Sequence, residues 1–311
     1  MVMNRELELI VGHQDQTCRL DAYVARITGL SRSLMTEGST VFIIDGKTVK
    51  KSQTAREGQK VLIKYCEMLF EDIVPQDIPL DVIYEDHDIL VIDKPQGMVV
   101  HPALGNYEGT LVNALAFRYG DDFLKSMEMD GDISRPGIVH RLDKDTSGVM
   151  VVALNRESHA ALSRQFAEHT VKKTYFCLCK GVFTPPCGEL KTCIGRDPGD
   201  RKRFAVKNEG RLAHTVYNVV EQYPNHALCS VSILTGRTHQ IRVHMSYLGH
   251  SIVGDPLYSR PDGLFPDATM MLHSRRLDMT HPITGERIKF ESPLPIRFEK
   301  ALSVLDGMKK A

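Results

Sequence analysis

Five segments between Lys173 and Leu234 (KTYFCLCKGVF, ELKTCIG, KRFAVK, AHTVYNVVEQY and ALCSVSIL) carry strand patterning, with only turn-like residues between them. Parallel strands need a crossover of a dozen or more residues, usually a helix. Strands that follow one another through turns pair antiparallel, so this stretch predicts an antiparallel sheet and an α+β fold class. A doubly wound nucleotide-binding fold is not expected. The chain agrees, having neither G-x-G-x-x-G nor a P-loop.

Around that stretch the pattern is mixed. DVIYEDHDILVIDKP reads as two strands around a turn, and a helix is predicted from Thr110 to Tyr119, followed by an acidic loop through Asp132. VMVVAL, from Val149 to Leu154, reads as a buried strand, after which Asn155 caps a helix running to about His169. In LTGRTHQIRVHMSYLGH, Thr238 is placed to cap a helix whose apolar stripe is Ile241, Met245 and Leu248, and Gly249 ends it.

The N-terminal part stands apart. ELELIV alternates as a strand, residues 18–36 read as helical with a break at Gly29, and Ser31-Arg32-Ser33 offers a cap for a second short helix. Asp45-Gly46 between apolar runs signals a hairpin, and Lys60 to Tyr65 a closing strand. The expected organisation is a small module at 1–66, an acidic linker at 67–79 with Pro75 and Pro79, a body at 80–305 and a tail at 306–311.

Net charge is +0 over 311 residues, without the basic excess common in nucleic-acid binders. The charge is nonetheless unevenly spread. Residues 67–93 hold nine acids and no Lys or Arg, whereas residues 190–211 hold seven Lys/Arg against three acids. That asymmetry leaves room for a positive face, although a basic cluster alone also reads as solvated surface. Seven cysteines without a CxxC pair imply reduced thiols in a cytoplasmic protein, Cys177 and Cys179 sharing one strand face. Neither a secretory signal nor a membrane-length apolar run is read in the chain.

HRLDKDTSG, residues 140–148, sets Asp143 between cations just ahead of the buried strand, and loops on rigid scaffolds are where reactive groups concentrate. Three chemistries compete for it. A metal hydrolase would use His239, His244 and His250, but spacings of five and six residues miss the one-face helical pair. A glycosidase needs two carboxylates across a sugar, which the alternates Asp143 and Asp145 do not guarantee. The third uses one carboxylate, an arginine and an aromatic ring. Asp143 beside Arg237 would stay ionised in a half-dry pocket. Tyr175, which taken alone reads as a core residue, would stack a flipped nucleobase, and Arg141 would fill the vacated gap or hold a phosphate.

RPGIVHRLDKDTSG, KKTY and LTGRTHQIRVH, in this order, resemble the RluA-type pseudouridine synthases. YEDHDILVIDKPQGMVVHP and HSRRLDMTHPITGERIKFESPLP extend the match over about residues 80–300, and RLDKDTSG with MVVHPALGN resembles the RluD branch. The resemblance implies a mixed sheet, no cofactor, no metal, and ribosomal RNA as partner, within pre-50S-type particles for some members. It also implies Asp143 as catalytic aspartate, Tyr175 as base-stacking ring, Arg237 as the aspartate's partner and Arg141 as the residue that helps flip the nucleotide. Cys177 stands where the family has alanine. Two alternatives stay open at this level: a tRNA-modifying synthase, and a non-catalytic RNA-binding assembly factor descended from the fold.

The N-terminal module, with CRLDAYV, GLSRS and IIDGKTV, resembles an S4 (αL-type) RNA-binding domain. Its hairpin departs from that family in having Asp45 for Asn and being one residue short. Arg19, Arg32, Lys47 and Lys50 are its candidate phosphate contacts, against a background of ordinary exposed charge.

Overall fold

A computed structural model describes residues 2–13, 18–28, 40–54, 56–68, 73–102, 106–127, 135–200 and 202–309. The chain divides into two compact units, Met1–Asp72 and Ile73–Ala311.

The first unit holds β1 (Val2–Ile10), α1 (Leu20–Thr28), β2 (Val41–Ile44), β3 (Lys47–Val49) and β4 (Lys60–Met68). Its sheet runs β1-β4-β2-β3, all antiparallel. The two-residue turn between β2 and β3 has Asp45 and Gly46 both at positive φ, 50° and 74°. Those angles match the strand twist, which is why Asp-Gly signals a hairpin. Leu20, Tyr23 and Val24 of α1 are buried on Phe42, Val61 and Ile63 of the sheet. The predicted cap at Ser31-Arg32-Ser33 lies outside the described residues.

The second unit is built on ten strands. Its path is β10-β9-β11-β12-β8-β13-β7-β6-β5, with β14 pairing β13. These are β5 (Asp81–Glu85), β6 (Ile89–Lys94), β7 (Ser147–Ala153), β8 (Lys172–Lys180), β9 (Cys187–Arg196), β10 (Phe204–Val206), β11 (Arg211–Gln222), β12 (His226–Ile233), β13 (Leu272–Thr280) and β14 (Arg287–Glu291). Among the described strands only β7 and β13 pair in parallel, so the sheet is mixed and mainly antiparallel, as expected. Among the described residues four helices accompany it: α2 (Leu111–Ser126), α3 (Arg156–Ala167), α4 (Gln240–Tyr247) and α5 (Ile296–Lys309).

β7 sits between two sheet neighbours and is buried at all seven residues. Each large apolar side chain so buried contributes roughly 1.5–3 kcal/mol. α3 starts at the Asn155 cap, whose side chain accepts from the Ser158 N–H at 2.9 Å. Helix α2 outruns its predicted end: Asp121 and Asp122 lie within it, beyond a break at Gly120 (φ 74°). Residues from Ile73 onward, expected as linker, are held to the body. Ile73 is buried with Val112 and Ala116, and Asn113 Nδ2 donates to the Val74 carbonyl at 2.9 Å.

Candidate active site

The loop before β7 is pinned at its backbone. At Gly148 (φ 115°) an added Cβ would collide with the Ser274 backbone on β13, so β7 and β13 close together only over a glycine. The Val151 N–H donates to His140 Nε2 at 3.0 Å, and the imidazole stacks on Phe166. Burial pushes His140 down to about 3, so it is a neutral acceptor with a structural task. On the other side, buried Lys94 donates from Nζ to the carbonyls of Pro95, Met98 and Lys144 at 2.9, 2.8 and 3.3 Å. Gln96 Nε2 donates to the Asp145 carbonyl at 3.0 Å.

Asp143, set by this loop, lines a cavity of about 100 Å³ together with Arg141, Tyr175, Arg237, His239 and Arg242. One carboxylate oxygen, Oδ2, accepts from Arg242 Nη1 at 3.1 Å. Oδ1 has no hydrogen-bond donor among the described residues. Arg242 in turn grips buried Asp255 with Nε and Nη2 at 2.7 and 2.9 Å. Burial disfavours the charge on Arg242, but the two carboxylates outweigh it and raise its pKa. Burial likewise opposes ionised Asp255, yet Arg242 and the N–H groups of Leu257 and Tyr258 hold its pKa down. One arginine thus serves two carboxylates, and only Asp143 keeps an oxygen open to the cavity.

This corrects the pairing expected of Arg237. Arg237 precedes α4 and its Nε donates to the Leu212 carbonyl on β11 at 3.0 Å. It lines the cavity but does not reach Asp143. Arg242 reaches it because it lies in α4 on a buried face, between Ile241 and Val243. A charge flanked by apolar residues in a helix was the available signal, since LTGRTHQIRVH offers two arginines and spacing alone does not choose between them. The predicted Thr238 cap is also corrected. His239 (φ 57°) is the N-cap residue and makes no side-chain capping bond, whereas buried Gln240 Oε1 accepts from the Arg237 N–H at 3.0 Å.

Tyr175 is 6% exposed and lines the same cavity. Its phenol is held well above the usual range by burial and by the Asp143 charge, opposed by a bond to Ser274. It stays a neutral flat ring. Arg141 is exposed at the cavity's edge. Cys177 is buried beside Cys179, their sulfurs 3.5 Å apart, on β8 next to the Tyr175 strand position.

The three histidines weighed as metal ligands are spent separately. His239 Nδ1 meets Tyr258 Oη at 2.9 Å, His244 bridges Thr192 and Thr215, and His250 bonds the Lys180 carbonyl. Among the described residues, one trio, Asp86, Asp88 and His281, gathers possible metal-ligating atoms. Its atoms are engaged in joining two turns: Asp86 accepts from Tyr84 Oη, His281 Nε2 and the N–H groups of Asp88 and Ile89. In the first unit, Lys47 and Lys50 are exposed, Arg19 is paired with Asp21 at 2.7 Å, and Arg32 lies outside the described residues.

The family model described as RNA pseudouridylate synthase matches residues 88–247, which include the Asp143 loop, Tyr175 and Arg242. The chain belongs to this family of RNA-modifying isomerases, and within it to the RluA-type enzymes. It is 40% identical to an uncharacterized RNA pseudouridine synthase of Aquifex aeolicus, over 98% of this chain and 99% of the relative. Identity is also 40% to the ribosomal large subunit pseudouridine synthase D of Xanthomonas campestris, over 92% of this chain and 88% of that one. The solved structure of human RNA pseudouridylate synthase domain containing 1 covers 74% of this chain and 96% of its own, with TM-score 0.57 and 25% identity. No described helix is long and apolar enough to cross a membrane.

Proposed function

We propose that the chain converts uridines of large-subunit ribosomal RNA to pseudouridine, with Asp143 as the catalytic carboxylate acting on a flipped nucleotide. The observation that carries this reading is the asymmetry of Asp143, with Oδ2 held by Arg242 and Oδ1 uncommitted in a cavity that also holds the Tyr175 ring. A carboxylate so held is aimed, with one oxygen left available, which is what covalent or general-base work at a sugar or base requires. The relatives named as large-subunit synthases support the choice of RNA.

In this reading the uridine leaves its stack at a cost of roughly a few kcal/mol and its base lies on Tyr175. Asp143 assists cleavage of the C1′–N1 bond, the base turns, and C5 joins C1′. Arg141 fills the gap or holds a backbone phosphate. The first unit serves as an S4-like RNA-binding module, with Arg19, Arg32, Lys47 and Lys50 toward phosphates, and the enzyme works on ribosomal RNA in the cytoplasm.

Forming the C5–C1′ bond expels the hydrogen on C5. Tritium release from RNA labelled at uracil C5, taken from cells lacking this gene, is therefore the test. Release by the unaltered chain that is abolished in Asp143→Asn, with RNA affinity kept, is the expected result. No release from free RNA or from assembled large subunits would refute the reading.

A further inference from the structure

His239 is unusual for its position. It is a non-glycine residue in left-handed conformation (φ 57°, ψ 19°) at the N-cap of α4, a place favoured by Ser, Thr, Asp and Asn because their side chains cap. Its side chain makes no such bond, so the start of the helix does not explain the imidazole. Left-handed backbone away from glycine carries a cost and persists where the surroundings over-determine it.

The surroundings here do so. The Phe204 N–H donates to Tyr258 Oη at 2.7 Å, and the same hydroxyl lies 2.9 Å from His239 Nδ1. The hydroxyl proton has no other acceptor among the described residues, so it goes to Nδ1. That assigns the tautomer, with Nδ1 accepting and Nε2 carrying the hydrogen. The guanidinium carbons of Arg242 and Arg203 lie 5.1 and 5.2 Å from the centroid of the Tyr258 ring and hold it in place. His239 lines the cavity, and its Nε2 lies 3.9 Å from Asp143 Oδ2, beyond hydrogen-bond reach. Burial, with Arg242 and Arg141 nearby, keeps the ring neutral against the pull of Asp143. A fixed donor is therefore left at the cavity with no acceptor in hydrogen-bond reach among the described residues.

We propose that His239 is a substrate-recognition residue, its Nε2–H donating to a carbonyl oxygen of the uracil that lies on Tyr175. This rests on the reading of the cavity as the base-binding site. Uracil offers a carbonyl at both C2 and C4, whereas cytosine replaces the second with an amino donor. A fixed donor at that edge pairs with the one and is left unpaired, donor against donor, by the other.

Two substitutions separate recognition from scaffolding. His239→Asn keeps a polar atom near the Nδ1 position, so the bond to Tyr258 survives, and asparagine adopts left-handed backbone readily. It removes the Nε2 donor. His239→Gln does the reverse, placing an amide nitrogen near the Nε2 position while losing Tyr258. Rates are read by tritium release from C5-labelled ribosomal RNA with the full chain, alongside thermal midpoints. The expected result is a kcat/KM for H239N lower by about tenfold or more at an unchanged midpoint, the value of one lost hydrogen bond. H239Q should then exceed H239N. H239N within about twofold of the unaltered chain, or H239N faster than H239Q, would overturn the proposal, because a scaffolding histidine depends on Tyr258 alone. The comparison of the two variants stands even if the H239N midpoint falls. No release from the unaltered chain would remove the underlying reading as well, whereas normal release with unimpaired H239N removes only the recognition role.

Discussion

Arg242 grips Asp255 with two nitrogens, at 2.7 and 2.9 Å, and Asp143 with a third, at 3.1 Å. The fork on Asp255 fixes the guanidinium plane, and the remaining nitrogen fixes Asp143 Oδ2. The position of the proposed catalytic oxygen is thus set by a residue that need not touch RNA.

Arg242→Lys keeps the charge but not the planar fork, and one ammonium cannot hold both carboxylates in this geometry. Activity should fall at least a hundredfold by tritium release. Arg242→Met leaves Asp255 buried without a counter-charge and should cost about 3–5 kcal/mol in denaturant unfolding. Arg237→Ala removes one bond to the Leu212 carbonyl and should cost about 1 kcal/mol. If the Arg237 variant proved as inactive as Arg242→Lys by tritium release, the assigned pairing would be wrong.

The contrast between these two arginines shows what was legible in the chain. The antiparallel run, the Asp-Gly hairpin, the Asn155 cap and the loop carrying Asp143 all follow from local pattern. The choice of Arg242 over Arg237 depends on which way α4 faces, and on Asp255 from a distant segment. Pairings of that kind are decided by packing rather than by spacing. The same holds for His239, whose left-handed backbone and Tyr258 partner leave no local signature, and for residues 73–79, whose two prolines at the end of an acidic stretch read as linker although Ile73 packs on α2.

Tyr175 should act through its face rather than its hydroxyl. Tyr175→Phe keeps the ring and loses only the hydroxyl, so turnover should be little changed. Tyr175→Ala removes the ring and its stacking, worth about 1–3 kcal/mol per base. KM and kcat by tritium release check the pair. Equal loss in both variants would move the role from the ring to the hydroxyl.

Asp86 ties the β5–β6 turn to the β13–β14 turn. Burial pushes its pKa up, but bonds from Tyr84, Ile89, Asp88 and His281 prevail and hold it at about 2. Unfolded, it titrates near 3.9. A carboxylate depressed in the folded state stabilises above the unfolded pKa and loses that contribution as pH falls through the folded one. The contribution is about 2 kcal/mol, present above about pH 4 and gone near pH 2. Urea midpoints of Asp86→Asn against the unaltered chain should therefore differ at pH 6 and converge at pH 2. A constant gap would show that the effect is one of packing.

Lys47 opens the short strand β3 and Lys50 follows it; both are exposed, each free to meet a phosphate. If the first unit binds RNA through them, their removal weakens affinity without touching the cavity that holds Asp143. Each lost phosphate contact also lowers the salt dependence, by about 0.7–0.9 in the slope of log affinity on log salt. The double variant Lys47→Ala, Lys50→Ala should bind large-subunit ribosomal RNA more weakly, with a slope shallower by about 1–2. Its kcat at saturating RNA should equal that of the unaltered chain, because neither lysine lines the cavity of the proposed chemistry. Filter binding across a salt series supplies the slope and single-turnover tritium release the rate. An unchanged slope would leave these lysines as solvated surface and shift RNA contact to the basic residues 196–211 of the second unit.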